Sequence, residues 1–148
     1  MPDRRRFIRL CARLAGLGLF ALLRPGRLFS SPSATASPFA TTLAAELGAH
    51  YRGESDRIVL EVPQIAEDGA IVPISIDADI SGISELVILV ERNPNPLAAR
   101  FRLSEPAEPF VSTRIKLNET GDVVVIAKTG DGSFSARENV KVLVGGYG

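Results

Sequence analysis

The chain has 148 residues, with 17 basic side chains, 17 acidic side chains and a single cysteine. This length fits one ordinary domain, and a lone cysteine excludes an intramolecular disulfide and a multi-cysteine metal site. Residues 1–36 carry seven arginines, so residues 37–148 keep 10 basic and 16 acidic side chains, a formal charge of −6, which argues against binding to nucleic acid or an anionic membrane.

The first 36 residues have the pattern of an export signal. A run of three arginines and an apolar residue at 4–7 precedes a mostly apolar stretch at 10–23 that is too short to span a bilayer. Residues 34–36 have the small side chains of a signal-peptidase site. We predict a cleaved twin-arginine signal over 1–36 and a periplasmic location without lasting membrane anchoring. The signal residues are Arg4, Arg5 and Phe7. An uncleaved basic anchor helix is the alternative.

One short helix and then a series of strands are predicted for residues 37–144. Segment 41–48 has hydroxyl residues at its start, good helix formers and a terminal glycine. The rest consists of β-branched runs separated by Gly, Pro, Asn and Asp, with Asp-Gly hairpin turns at 67–69 and 130–132. Seven strands are predicted, at 57–62, 70–80, 86–92, 99–104, 110–117, 123–128 and 140–144. The expected fold class is an all-β antiparallel sandwich.

The predicted strands differ in how many of their faces are apolar. Along 72–77 and 111–117, apolar and polar side chains alternate, so each strand should have one buried and one solvated face. The runs 86–90 and 123–126 are apolar on both faces. Either they are central strands covered on both sides, or their second face is an interface with another subunit.

Few side chains outside the signal offer catalytic or metal chemistry. His50 is the only histidine, it follows the predicted helix, and no nucleophile motif accompanies it. Asp77 and Asp79 could supply oxygen ligands to calcium, but no loop with the required spacing follows them. We therefore predict that the protein is not an enzyme and holds no metal and no cofactor.

Basic residues recur on two predicted strands. They are Arg100, Arg102, Arg114 and Lys116. They are either ordinary solubilising residues or a patch that binds an anion or a partner protein in an otherwise acidic domain. The second interpretation describes a periplasmic binding module.

A glycine-rich segment, Gly145-Gly146-Tyr147-Gly148, closes the sequence after a valine-rich run. Glycine has no Cβ and samples many backbone conformations. Residues 145–148 are therefore predicted to form a flexible arm that carries one aromatic side chain near its tip, and we expect this end of the chain to be its functional part.

Several segments, taken in order, form a recognisable pattern. They are 65–73 (IAEDGAIVP), 91–96 (ERNPNP), 112–116 (STRIK), 131–132 (DG), 140–142 (VKV) and the Gly-Gly pair near the end. Together they resemble SoxY, the sulfur-carrier subunit of the periplasmic Sox system that oxidises thiosulfate. The resemblance implies an immunoglobulin-like sandwich, a twin-arginine leader and a heterodimer with a SoxZ-like subunit.

The resemblance also implies a role for the arm. In the family the arm ends Gly-Gly-Cys-Gly-Gly, and the cysteine thiol holds the sulfur intermediate while enzymes act on it in turn. Here Tyr147 stands at the cysteine position and the last glycine is missing. A phenol, with a pKa of about 10 and a hard oxygen, forms no persulfide. The expectation is a carrier-like or scaffold subunit that presents Tyr147 to a partner; a degenerate copy is the alternative.

Overall fold

The computed structural model describes residues 36–105 and 107–146. Within these residues the chain forms one helix, α1 (Pro38–Leu47), and nine strands. The strands are β1 (Tyr51–Glu54), β2 (Ile58–Glu61), β3 (Ile65–Asp68), β4 (Val72–Ala78), β5 (Ile83–Val90), β6 (Leu97–Arg102), β7 (Phe110–Ile115), β8 (Gly121–Thr129) and β9 (Gly132–Val144). The predicted signal, with Arg4, Arg5 and Phe7, and the residues Tyr147 and Gly148 lie outside the described residues.

The strands form two sheets that pack face to face. The larger has the order β1-β9-β8-β5-β6, with β3 also beside β9, and the smaller has the order β2-β4-β7. Strands β1 and β3 pair with β9 in parallel, whereas the other pairs are antiparallel. Apolar side chains from both sheets fill the space between them. The predicted fold class, an all-β sandwich with one short helix, is confirmed.

Side-chain alternation places the core as predicted. On β4, Val72, Ile74 and Ile76 are buried between the sheets, while the residues between them point outward. On β7 and just beyond it, Val111, Ile115 and Leu117 are buried in the same core. A period of two residues is sufficient to assign both faces of these strands.

The number of strands differs from the predicted seven. Strands β1 and β3 have four residues each and no clear apolar alternation, and both are held by pairing with β9. Strand β9 starts at Gly132, well before the predicted 140. The turn at 130–132 closes the β8–β9 hairpin as predicted. The turn at 67–69 closes no hairpin, because it leads from β3 in the larger sheet to β4 in the smaller one.

Helix α1 begins three residues earlier than predicted. Ser37 caps it, because its Oγ accepts a hydrogen bond from the Ala40 backbone N–H at 3.1 Å, and Pro38 occupies the first turn. The helix ends at Leu47, and Gly48, with a φ of 70°, is its C-cap. Within the described residues the structure has no helix long and apolar enough to cross a membrane.

Helix α1 covers the outer face of the two strands that are apolar on both sides. Four side chains on that face are at most 1% exposed: Val87, Leu89, Val124 and Ile126. Against them pack Phe39, Leu43 and Leu47 of α1, together with Leu97. The second apolar face is thus buried within the chain itself, and its interpretation as a subunit interface is wrong.

Replacing Leu43 by alanine tests how firmly the helix is seated. We expect Leu43→Ala to lower the free energy of unfolding by about 2 kcal/mol, because it removes apolar contact over a buried sheet face. Thr41→Ala, on an exposed position of the same helix, is the control and should change it by less than about 0.5 kcal/mol. Urea titration measures both, and equal values would mean that α1 does not pack on the sheet in solution.

Candidate functional site

The last described residues pack onto the body of the domain. Near its end β9 runs parallel to β3, with Ile65 opposite Lys141 and Asp68 opposite Val144. Beyond the strand, Gly145 is half-buried and Gly146 is buried. We call the surface that receives Gly146 the tail seat; it consists of Gly69, Ala70 and Leu117.

Backbone hydrogen bonds join three segments at the tail seat. The Gly69 N–H donates to the Val144 carbonyl oxygen at 2.8 Å, and the Leu117 N–H donates to the Gly69 carbonyl oxygen at 2.7 Å. The Gly146 N–H in turn donates to the Leu117 carbonyl oxygen at 3.1 Å. All three bonds join main-chain atoms. The side chains at these positions therefore affect the contact only through their size.

The glycines at this contact are required by close packing. A Cβ on Gly69 would overlap the Leu117 carbonyl oxygen and would lie 3.0 Å from the Gly146 nitrogen. A Cβ on Gly146 would lie 2.9 Å from the Ala70 Cα and nitrogen. The prediction of a flexible arm from residue 145 onward is therefore corrected for its first two residues: Gly145 and Gly146 pack on the body of the domain, whereas Tyr147 and Gly148 lie outside the described residues.

The four basic residues are divided between the two sheets. Arg100 and Arg102 lie on β6, at one edge of the larger sheet, whereas Arg114 lies on β7, an edge of the smaller sheet, and Lys116 follows it. Arg102 is 86% exposed, with its Nε 3.7 Å from a Glu85 oxygen. Their environments therefore differ, and each pair has to be considered separately.

Arg100 belongs to an ion-pair network that fastens α1 to the larger sheet. Its Nη2 lies 2.5 Å from Glu46 Oε1 and its Nη1 lies 2.8 Å from Glu85 Oε2. Lys128 Nζ contacts the same two carboxylates, at 2.5 Å from Glu46 and 3.3 Å from Glu85. Since both carboxylates are largely shielded from solvent, the charge of Arg100 is compensated within the domain and helps to hold α1 on the sheet.

The charge of Glu46 is stabilised by this network. Burial alone would raise the pKa of Glu46, but hydrogen bonds from Lys128 and Arg100 outweigh it, and the pKa lies below its ordinary value of 4.5. The hydrogen bond to Glu46 likewise raises the pKa of Arg100. Both groups therefore stay charged over a wider pH range than in the unfolded chain.

Arg114 lines an open cavity on the outer face of the smaller sheet. The cavity has a volume of about 460 Å³, and Pro73, Ser112 and Thr113 also line it. Within the described residues, no carboxylate oxygen lies within 4 Å of the Arg114 guanidinium. Of the four predicted basic residues, Arg114 is thus the one that an anion could reach in a pocket.

The remaining candidate side chains do not assemble into a site. His50 is exposed after α1, and its carbonyl oxygen accepts a hydrogen bond from the Ser133 N–H. Asp77 and Asp79 are exposed, and across 36–105 and 107–146 the structure brings no three His, Cys, Asp or Glu residues together as metal ligands.

Comparisons with known proteins point to one family. The family model described as "Sulfur oxidation protein SoxY" matches residues 43–146, so the match ends at the residue that occupies the tail seat. The sulfur carrier protein SoxY from Chlorobium limicola f thiosulfatophilum is similar in structure, with a TM-score of 0.63 and 32% sequence identity, covering 72% of this chain and 97% of that one.

Other comparisons are weaker. A superoxide reductase (neelaredoxin) from Ignicoccus hospitalis has 23% identity and a TM-score of 0.48, covering 57% of this chain and 79% of its own. No curated protein matches the chain.

Replacing Gly146 by alanine tests the tail seat. The added Cβ meets backbone atoms of Ala70, so we expect Gly146→Ala to displace the tail and to accelerate amide exchange of Gly69 about tenfold, a loss of about 1.4 kcal/mol of local stability. Gly130→Ala is the control, since nothing lies within 4 Å of a Cβ there. Hydrogen exchange followed by NMR measures both; unchanged exchange at Gly69 in Gly146→Ala would contradict the seat.

The pH dependence of stability tests the ion-pair network. Because the pKa of Glu46 is lowered on folding, its stabilisation is present above pH 4.5 and is lost as the pH falls through the folded-state pKa. We expect Glu46→Gln to cost about 1 kcal/mol at pH 7 and much less at pH 3.

Urea unfolding at the two pH values provides the measurement, with the exposed Glu67→Gln as the control. The control should show no such difference. A Glu46→Gln cost that is the same at both pH values would contradict the network.

Proposed function

Because the chain belongs to the SoxY family, we propose that it is an exported, carrier-like or scaffold subunit of a sulfur-oxidation system, with thiosulfate as the compound oxidised. The observation that carries the proposal is the continuous match to SoxY from α1 to the tail seat. According to this proposal, the protein is exported by the twin-arginine route and works in the periplasm as a non-catalytic subunit.

The proposed function differs from that of a sulfur carrier because residue 147 is a tyrosine and not a cysteine. Its phenol oxygen forms no persulfide, so covalent carriage of sulfur by Tyr147 is not part of the proposal. A tyrosine side chain is rigid and partly apolar, has one hydroxyl group and is common where proteins bind each other. We propose that Tyr147 is presented to a pocket on a partner protein.

The tail seat limits how Tyr147 can be presented. Consecutive Cα atoms are about 3.8 Å apart, so residue 147 stays close to the seat for as long as Gly146 occupies it. A partner must therefore either approach the seat itself or draw Gly146 out of it. Both routes bring the partner to the end of the domain where β3 and β9 run side by side.

Pairing with a SoxZ-like subunit is the second part of the proposal. The face beneath α1 is closed, so the pairing must use another surface. The outer face of the smaller sheet carries two apolar side chains that are more than half exposed, Val59 and Phe110, and both pair with Asp77 of β4. This face supports the pairing because apolar side chains are available on it at neighbouring strand positions.

A second candidate function is a periplasmic module that binds an anion or a protein and has no sulfur role. The observation that favours it is the Arg114 cavity on the smaller sheet. The two functions differ in what they require, because the module depends on Arg114 and not on the tail, whereas the carrier-like subunit depends on the tail.

Native mass spectrometry of the protein from its own periplasm, after growth on thiosulfate, tests the proposal. We expect the wild-type chain in a heterodimer without added sulfur, and Tyr147→Cys in the same heterodimer with sulfur attached. Tyr147→Ser, which has a similar small side chain without a thiol, is the matched control and should gain no sulfur.

Three outcomes would contradict the proposal. Sulfur on the wild-type chain would mean that another residue carries it. Tyr147→Cys without sulfur would mean that the tail does not fit the enzymes of the system. Loss of the partner in Arg114→Glu but not on truncation after Val144 would favour the binding module.

A further inference from the structure

A second open cavity lies at the β8–β9 hairpin, far from the tail seat. It has a volume of about 330 Å³, and we call it the arginine pocket because Arg52 of β1 and Arg57 of the following turn both line it. The other lining residues are Ile80, Ser81, Thr129, Asp131 and Phe134. Along β9, the stretch from Gly132 to the strand end at Val144 separates the two sites by roughly 40 Å.

Arg52 is held in position in this pocket. Its Nη2 donates a hydrogen bond to the Asp131 carbonyl oxygen at 3.0 Å. Its Nε and Cγ lie beside Gly132, at 3.2 and 3.3 Å from where a Cβ would stand on that residue, so the missing side chain leaves room for the arginine. A guanidinium has five N–H donors, and this contact leaves most of those on Arg52 available to a ligand.

Neither arginine has its charge neutralised by a direct ion pair. Among the described residues, no carboxylate oxygen lies within 4 Å of the guanidinium of Arg52 or Arg57, whereas Arg100 and Arg137 each contact two carboxylates. Asp131 is the one acidic residue in the pocket wall, which leaves a formal charge of +1 there. In a domain that is acidic elsewhere, this pocket is a local exception.

The backbone around the pocket is also fixed. The Arg57 carbonyl oxygen accepts a hydrogen bond from the Asp79 N–H at 2.9 Å, which ties the turn after β1 to the end of β4. Thr129 Oγ1 donates to the Gly132 carbonyl oxygen and accepts from the Asp131 N–H, which fixes the β8–β9 turn. Arg52, Arg57 and Ser81 thus line one cavity, and the backbone hydrogen bonds beside it fix the turn that carries Arg57 and the β8–β9 turn.

We propose that the arginine pocket binds a small tetrahedral oxyanion such as sulfate or thiosulfate. The planar guanidinium group matches two oxygen atoms of such an ion, and charge-assisted hydrogen bonds of this kind are strong. Ser81 supplies a further hydroxyl donor. Asp131 opposes binding because its carboxylate carries a negative charge, and the site is independent of the tail.

An NMR titration of the full-length protein tests this site. Sodium thiosulfate, sulfate and phosphate are each added at constant ionic strength, with sodium chloride as the balancing salt. We expect saturable shifts at the Ser81 and Asp131 amides with each of the three tetrahedral oxyanions. The absence of a saturable shift with all three ions would overturn the proposal.

Substitutions separate a built site from general charge effects. We expect the double variant Arg52→Gln, Arg57→Gln to bind at least about tenfold more weakly and Asp131→Asn to bind several-fold more tightly. Arg92→Gln is the control, because Arg92 is exposed and lies 4.0 Å from its nearest carboxylate oxygen, on Glu91. Thermal unfolding in chloride checks that each variant is folded.

Two outcomes would contradict the proposal, and one control separates it from the carrier-like function. Shifts that do not saturate, or that persist in the double variant, would overturn it. Tyr147→Ser should bind the anion like wild type, so that failure of the arginine pocket and failure of the carrier-like function can be told apart.

Discussion

The fold depends on covering both faces of β5 and β8. One face packs against the smaller sheet, and α1 covers the other, where Val87, Leu89, Val124 and Ile126 are almost completely buried. Neighbouring apolar side chains on a central strand pair cannot be left in water without a large loss of stability. The network around Glu46 adds a polar attachment at the end of the helix, so the N-terminal helix and the sandwich form one unit.

Because α1 covers the outer face of β5 and β8, that face is not available for binding. Three other surfaces of the described residues remain exposed: the outer face of the smaller sheet, the tail seat and the hairpin end of the domain. They differ in chemistry: exposed apolar side chains on the smaller sheet, a backbone contact at Gly69 and Gly146, and two arginines at the hairpin.

Local sequence predicted what depends on local periodicity and missed what depends on distant contacts. The faces of β4 follow from alternation, but β1 and β3 exist because β9 pairs with them. The glycines before Tyr147 suggested flexibility, whereas Gly146 is needed because Ala70 lies against it. Arg100 looked available for binding, but its partners come from α1 and β5. The arginine pocket was missed because its wall combines β1 and the turn after it with the turn after β4 and the β8–β9 hairpin, which are distant in sequence.

The contact between Gly146 and the tail seat also adds a free-energy cost to any binding that requires the tail to be released. A partner that needs Gly146 released can bind only the fraction of molecules in which the seat is open, and its apparent affinity falls by that fraction. Each 1.4 kcal/mol that the seat contributes lowers this affinity about tenfold. The hydrogen bond from Gly146 to Leu117 thus adds to the free energy that any binder requiring the released tail would have to supply.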